Sequence, residues 1–128
     1  MNNYLTLTEV LAIHADQIDR YGGSHGVRDR GLLESALYRP QTGYYADLLE
    51  EASALWESLS QNHPFVDGNK RTAFAVTYTF LGYNDFWITS DLQETTRFVL
   101  GLYEKGKFNF DNLSGWLRGH TVERKRGF

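Results

Sequence analysis

Apolar residues recur every three or four positions along most of this chain, and that spacing restricts it to a helical fold. The boundaries of the first helices are also marked. Thr6 and Glu9 form a capping box before the first periodic stretch, and the pair Gly22-Gly23 ends it by allowing positive φ. Asp29 is placed to cap a second helix. The positions predicted to face the core in these two helices are Val10, Ile13, His14, Ile18, Leu32, Leu33, Ala36 and Leu37.

Four further helices are predicted downstream. The third runs from about Asp47 to Gln61, and the fourth starts near Asn69. Ser90 and Gln93 are predicted to cap the fifth, and a last short helix follows. Their expected core positions are Leu48, Ala52, Leu55, Trp56 and Leu59, then Ala73, Val76, Thr77 and Phe80, then Leu92, Phe98, Val99 and Leu102, and finally Leu113, Trp116 and Leu117.

Two segments interrupt the helical pattern. Tyr38–Tyr45 holds Pro40 and Gly43 among aromatic residues and is predicted to be a loop or a short hairpin. Phe86–Thr89 is predicted to be extended. We therefore expect residues 1–128 to form a single all-α domain, a compact bundle of about six helices with a short extended flap.

Composition narrows the class of protein. The chain has no cysteine, so it has neither disulfides nor thiolate metal sites, and we expect a cytoplasmic protein. It shows no apolar run of the roughly 18 residues that a membrane span requires, and no signal peptide is recognisable. The net charge of −3 argues against direct nucleic-acid binding. The one basic concentration is expected to be a solvated tail; it consists of Arg118, Arg124, Lys125 and Arg126.

Residues 63–71 carry the chemistry that the sequence suggests. Gly68 allows backbone to approach a ligand closely, and a helix starts directly after it. The first N–H groups of a helix have no internal partners and favour an anion such as phosphate. Lys70 and Arg71 in that first turn oppose the helix dipole unless an anion lies there. This combination indicates a phosphate-binding helix terminus.

A base and a metal ligand precede that terminus. His63 can accept a proton near neutral pH. Asp67 is a hard oxygen ligand, and Mg²⁺ usually takes one or two carboxylates together with substrate phosphates. Each residue alone is more typical of a turn, a cap or the surface. Together they are the parts of a phosphoryl-transfer site.

The segment resembles the core motif of the Fic/Doc family, His-x-Phe-x-Asp/Glu-Gly/Ala-Asn-Gly/Lys-Arg. The matching residues are His63, Phe65, Asp67, Gly68, Asn69, Lys70 and Arg71. Upstream, Arg20-Tyr21-Gly22-Gly23 and residues 29–36 look like the death-on-curing branch of that family. The resemblance implies that His63 is the general base and Asp67 the Mg²⁺ ligand. It also implies that Gly68 and Asn69 line the phosphate pocket and that Arg71 holds a phosphate.

Two positions bear on which part of ATP is transferred. Lys70 stands where the AMP-transferring members have Gly, and Phe74 stands where they have a second Arg. Both differences resemble the death-on-curing branch, which implies a toxin that transfers the γ-phosphate of ATP to elongation factor Tu. AMP transfer to a protein hydroxyl and a catalytically silent binding module remain as alternatives.

Regulation and recognition are also suggested by the resemblance. The inhibitory pattern Ser/Thr-x-x-x-Glu-Gly/Asn of many Fic enzymes is not matched, so a small antitoxin protein is the expected inhibitor. Tyr44 and Tyr45 either pack in the flap or contact a target or antitoxin peptide. His14 is expected to be a packed core histidine.

Overall fold

The computed structural model describes residues 2–125 and shows six α-helices, one 3₁₀ helix and two short strands in that range. In chain order they are α1 (Leu7–Tyr21), α2 (Arg30–Tyr38), the 3₁₀ helix (Arg39–Thr42), α3 (Leu48–Gln61), α4 (Asn69–Tyr83), β1 (Phe86–Ile88), α5 (Leu92–Glu104), α6 (Phe110–His120) and β2 (Thr121–Glu123). The predicted all-α class is confirmed.

Most helix starts follow the local signals. Thr6 and Glu9 form the complete capping box of α1, and Asp29 and Asp47 accept N–H bonds at the starts of α2 and α3. The prediction for α5 was wrong by one residue. Asp91 is its N-cap, because a carboxylate one position later takes the role assigned to Ser90.

The core is built around α3. Most residues of this helix are buried, and it packs against α4 on one side and α6 on another. The largest fully buried side chains come from five helices and one loop; they include Trp56, Phe65, Phe80, Leu33, Leu59, Leu81, Leu113 and Leu117. Each contributes about 1.5–3 kcal/mol by leaving water. The loop residue is Phe65, so the candidate motif is anchored in the core itself.

The C-terminal part of the described chain is not simply a solvated tail. β2 pairs antiparallel with β1, with Trp87 opposite Val122. Arg118 lies on α6 and its guanidinium bonds the carboxylate of Asp47, 2.9 Å away. Arg126 lies outside the described residues. The sequence pattern does not predict β2, because a strand of only three residues is too short to show a period of two.

The segment Tyr38–Tyr45 was predicted to be a loop or a short hairpin; it is not a hairpin, and residues 43–45 are loop. It forms a 3₁₀ helix that ends at Gly43, whose φ of 83° is left-handed. Tyr44 is 84% exposed, and Tyr45 accepts a 2.6 Å hydrogen bond from Nε of Arg39. Pro40 explains the difference, because a proline near the start of a turn suits a 3₁₀ helix and lacks the N–H that a strand ladder needs. Within residues 2–125, no helix is both long and apolar enough to cross a bilayer.

Candidate active site

The loop between α3 and α4 is closed by a side chain. The amide of Asn69 accepts from the N–H of Phe65 at 2.9 Å and donates to its carbonyl at 3.0 Å. Both polar backbone groups of a buried residue are thereby satisfied. The Asn69 side chain, which the resemblance assigned to the phosphate pocket, is thus bonded to the loop, and its backbone remains at the helix terminus.

His14 supports the same loop from α1. Its ring stacks on Phe65 with 3.8 Å between centroids, and its Nε2 lies 2.8 Å from the carbonyl oxygen of Asp67. A carbonyl only accepts, so Nε2 carries the hydrogen. The buried position expected for His14 is correct, and the side chain also bonds the motif.

The α1–α2 loop runs alongside the motif loop. The N–H of Val66 donates to the Gly26 carbonyl at 3.0 Å, and the N–H of Arg28 donates to the Pro64 carbonyl at 2.8 Å. Between them, Val27 and Phe65 form an antiparallel bridge. The motif is therefore held by a second loop that is distant in sequence.

His63 lies at the exposed start of the motif. Its φ of 48° is left-handed, which is uncommon for a residue with a β-carbon. The carbonyls of Asn62 and His63 both accept hydrogen bonds from the Arg28 guanidinium, at 2.8 and 2.6 Å. The imidazole is accessible to a hydroxyl from another molecule.

Asp67 is held as a carboxylate. Oδ2 accepts from the N–H of Ser24 at 3.1 Å, and Oδ1 accepts from the N–H of Gly68 at 2.8 Å. The Ser24 bond first, and then the Gly68 bond, keep the pKa of Asp67 below its ordinary value. Gly23 makes the approach possible, because a β-carbon there would lie 2.7 Å from Oδ2. An exposed, ionised oxygen donor of this kind fits Mg²⁺.

The N-terminus of α4 lacks the side-chain cap that the other α-helices have. Gly68 is its N-cap, with φ of 71° and no side chain to accept from the first turn. A β-carbon at Gly68 would lie 2.9 Å from Cδ1 of Ile18 and 3.2 Å from Nη2 of Arg71. Glycine is therefore needed at this N-cap, and no N-cap side chain accepts from the N–H groups of the first turn, which are the groups that can bind an anion.

Two cations flank this terminus in different ways. Nη2 of Arg71 donates to the Gly22 carbonyl at 2.8 Å, and its guanidinium lies near the Tyr21 ring. Nζ of Lys70 lies 4.2 Å from the centroid of the Tyr103 ring on α5. The Tyr103 hydroxyl bonds to that of Ser60. Within residues 2–125, each cation is thus held by an aromatic side chain or a carbonyl and forms no ion pair with a carboxylate.

A groove of about 770 Å³ lies between α4 and α5, and Lys70 and Arg71 are part of its lining. Phe74 lines the same groove and packs on Trp56 with 5.6 Å between ring centroids. Leu92 was expected in the core but is 75% exposed at this groove. The charged residues of the motif are therefore continuous with an apolar cleft.

The structure brings His63, Asp67, Gly68, Lys70 and Arg71 into one loop and the helix turn that follows it. Tyr44 and Tyr45 contact other residues: each other, Arg39 and Phe110. Sequence reasoning missed the supporting residues Ser24 and Arg28. The glycines around them were the one available signal, because a Gly-rich loop allows close backbone approach.

This chain belongs to the Fic/DOC family, since residues 4–81 match the model of that family. Two relatives support this assignment. The chain is 44% identical to "Toxin Doc" of Mycolicibacterium smegmatis over 133 aligned positions, which cover 99% of this chain and all of the relative. It is 33% identical to "Protein kinase doc" of Escherichia phage P1 over 85 positions, which cover 63% of this chain and 68% of that protein.

Proposed function

We propose that this chain is the toxin of a toxin–antitoxin pair, a cytoplasmic protein kinase that transfers the γ-phosphate of ATP to a Thr or Ser hydroxyl of a translation factor. Elongation factor Tu is the first candidate target. The main support for the proposal is one loop that connects an exposed histidine to the N-terminus of α4. That terminus has no side-chain cap and is flanked by two cations. The names of both relatives, a toxin and a protein kinase, support the same direction.

The residues divide the reaction between them. His63 takes the proton of the target hydroxyl as its oxygen attacks the γ-phosphorus. The bond between that phosphorus and the β–γ bridging oxygen breaks, and ADP leaves. The first-turn N–H groups of α4, with Lys70 and Arg71, hold the phosphate oxygens. No covalent enzyme intermediate is needed.

Mg²⁺ fits the site through Asp67, whose carboxylate is ionised and exposed while two backbone N–H groups orient it. When bound, the ion offsets charge on the phosphates. The apolar groove beside Lys70 suits the base of the nucleotide, and Phe74 and Tyr78 offer aromatic faces for it. We further propose that residues 1–128 act as one domain, because a single buried cluster extends from Leu5 to Leu117.

A small antitoxin protein is the proposed partner. Leu92 and Leu100 at the groove are 75% and 53% exposed, an apolar surface of the kind that a partner covers. A protein bound there would also prevent a nucleotide from entering the groove.

Transfer of label tests the proposal directly. Purified protein is incubated with elongation factor Tu and ATP labelled at either the α- or the γ-phosphate. The label on the target is counted, and the mass of the intact target is measured by mass spectrometry. We expect γ-label on the target, a mass gain of one phosphate, and ADP as product. His63→Ala should reduce the rate of labelling by about 10²- to 10⁴-fold. His25→Ala should leave it unchanged, because His25 is an exposed histidine bonded to Asp19.

Each alternative has its own outcome in the same assay. Label from the α-phosphate with release of pyrophosphate would replace the kinase by AMP transfer. Absence of either label from every protein of a cell lysate would favour the silent binding module.

A further inference from the structure

We infer that Arg28 is a positioning residue for His63 and acts through the two peptide groups that flank the α-carbon of His63. The inference rests on the proposed function, in which His63 is the base. Arg28 belongs to the α1–α2 loop and reaches the motif from outside it.

The geometry explains how one side chain can set a backbone conformation. The carbonyl of Asn62 belongs to the peptide group before the His63 α-carbon, and the carbonyl of His63 belongs to the one after it. Arg28 donates to the first from Nη2 at 2.8 Å and to the second from Nε at 2.6 Å. The angles φ and ψ of a residue describe how these two planes are rotated. A rigid, planar guanidinium bonded to both therefore restrains both angles.

His63 needs such a restraint. Its φ of 48° lies in the left-handed region, where a β-carbon is crowded by the backbone. The next residue is Pro64, whose ring further narrows the conformations open to His63. The direction of the imidazole follows from this backbone conformation, so a relaxed backbone would point the base elsewhere.

Arg28 is itself well anchored. Its N–H and that of Asp29 both donate to the Pro64 carbonyl, at 2.8 and 3.0 Å. The Asp29 side chain in turn caps α2 by accepting from the N–H of Leu32 at 3.0 Å. The guanidinium thus starts from a backbone that is tied both to a helix and to the motif loop.

Arg30 provides a matched control. It is an exposed arginine two residues later, and its Nε bonds Glu34 on the same helix at 2.9 Å. Replacing either arginine with alanine changes the net charge equally, but only Arg28 bonds the carbonyls around His63.

The expected effect is on the chemical step. Arg28→Ala should lower kcat by roughly 10- to 100-fold, because small misplacement of a catalytic group is costly. The KM for ATP should change less than about threefold, since the phosphate side is formed by α4. Arg30→Ala should match the wild type in both constants. Guanidinium chloride at low millimolar concentration should restore part of the lost kcat of Arg28→Ala and do nothing for Arg30→Ala.

Arg28→Lys keeps the charge but offers one nitrogen where two are used, so we expect a smaller loss of kcat than with alanine. Should Arg28→Ala fail to fold, Arg28→Lys is measured in its place. A wild-type kcat in either Arg28 variant, a loss shared with Arg30→Ala, or an effect on KM alone would overturn the inference.

A second measurement does not depend on transfer. The three-bond HN–Hα coupling and the Cα shift of His63, read by NMR, report its φ in the free protein. We expect values of a left-handed residue in the wild type and in Arg30→Ala, and averaged values in Arg28→Ala. Unchanged values in Arg28→Ala would refute the restraint. If the wild type transfers no phosphate, the proposed function fails while this measurement still decides the role of Arg28.

Discussion

Replacing Asn69 with alanine separates a structural role for this residue from the phosphate-binding role that its motif position suggests. The side chain makes two hydrogen bonds to the backbone of Phe65, which is only 1% exposed. Alanine removes both partners at once. The ring of Phe65 also stacks on His14, which bonds the same loop. A shift of Phe65 would therefore weaken the contacts that hold the whole loop.

The magnitude follows from the two bonds. A typical intramolecular hydrogen bond contributes about 0.5–1.5 kcal/mol net, so losing two should lower the free energy of unfolding by about 1–3 kcal/mol. For a chain of this length that corresponds to a fall in Tm of roughly 5–10 °C. Asn69→Asp should also destabilise, because a carboxylate still accepts from the Phe65 N–H but faces the Phe65 carbonyl without a hydrogen to donate.

Thermal and urea denaturation followed by circular dichroism measure the stability, and ATP titration measures nucleotide affinity. Asn62→Ala is the control, since in the part of the chain that is described its side chain makes no hydrogen bond; we expect it to shift Tm by less than about 2 °C. An unchanged Tm for Asn69→Ala combined with weakened ATP binding would refute the structural role and restore the assignment to the phosphate pocket.

Four further outcomes are expected. His63→Ala should slow transfer by about 10²- to 10⁴-fold in a folded protein, and undiminished transfer would remove it as the base. Transfer should stop in excess chelator, and Asp67→Asn should weaken the dependence on Mg²⁺. The Ser24 and Gly68 N–H groups lower the pKa of Asp67, so its contribution to stability is fully present above about pH 3.9. This contribution is lost as the pH falls from there through the lowered pKa. The difference in Tm between wild type and Asp67→Asn should therefore shrink as the pH falls below about 3.9. Tyr103→Leu, which removes the ring beneath the Lys70 ammonium, should reduce transfer while Tyr103→Phe retains most of it, and equal activity of the two would contradict a role for the ring.

Much of the fold was open to prediction because helices are specified locally. The capping box of α1 and the Asp caps of α2 and α3 use residues three positions apart, and the core faces repeat with the helical period. Two of the failures were also local. Asp91 and not Ser90 caps α5, since adjacent residues with similar capping ability compete and their order does not decide between them. The 3₁₀ helix at Pro40 shows the same ambiguity for a short turn.

The sequence alone identified the candidate site residues, because they lie in one short segment and the helix that follows it orients them by its own geometry. Only the tertiary structure decided what holds those parts. Arg28 reaches Asn62 and His63 from 34 and 35 residues away, and the N–H of Ser24 meets Asp67 across 43. Such contacts depend on how the α1–α2 loop folds back onto the motif, and no local pattern encodes that distance. The same holds for Lys70, which lies over the Tyr103 ring only because the tertiary fold places α5 across the groove from α4.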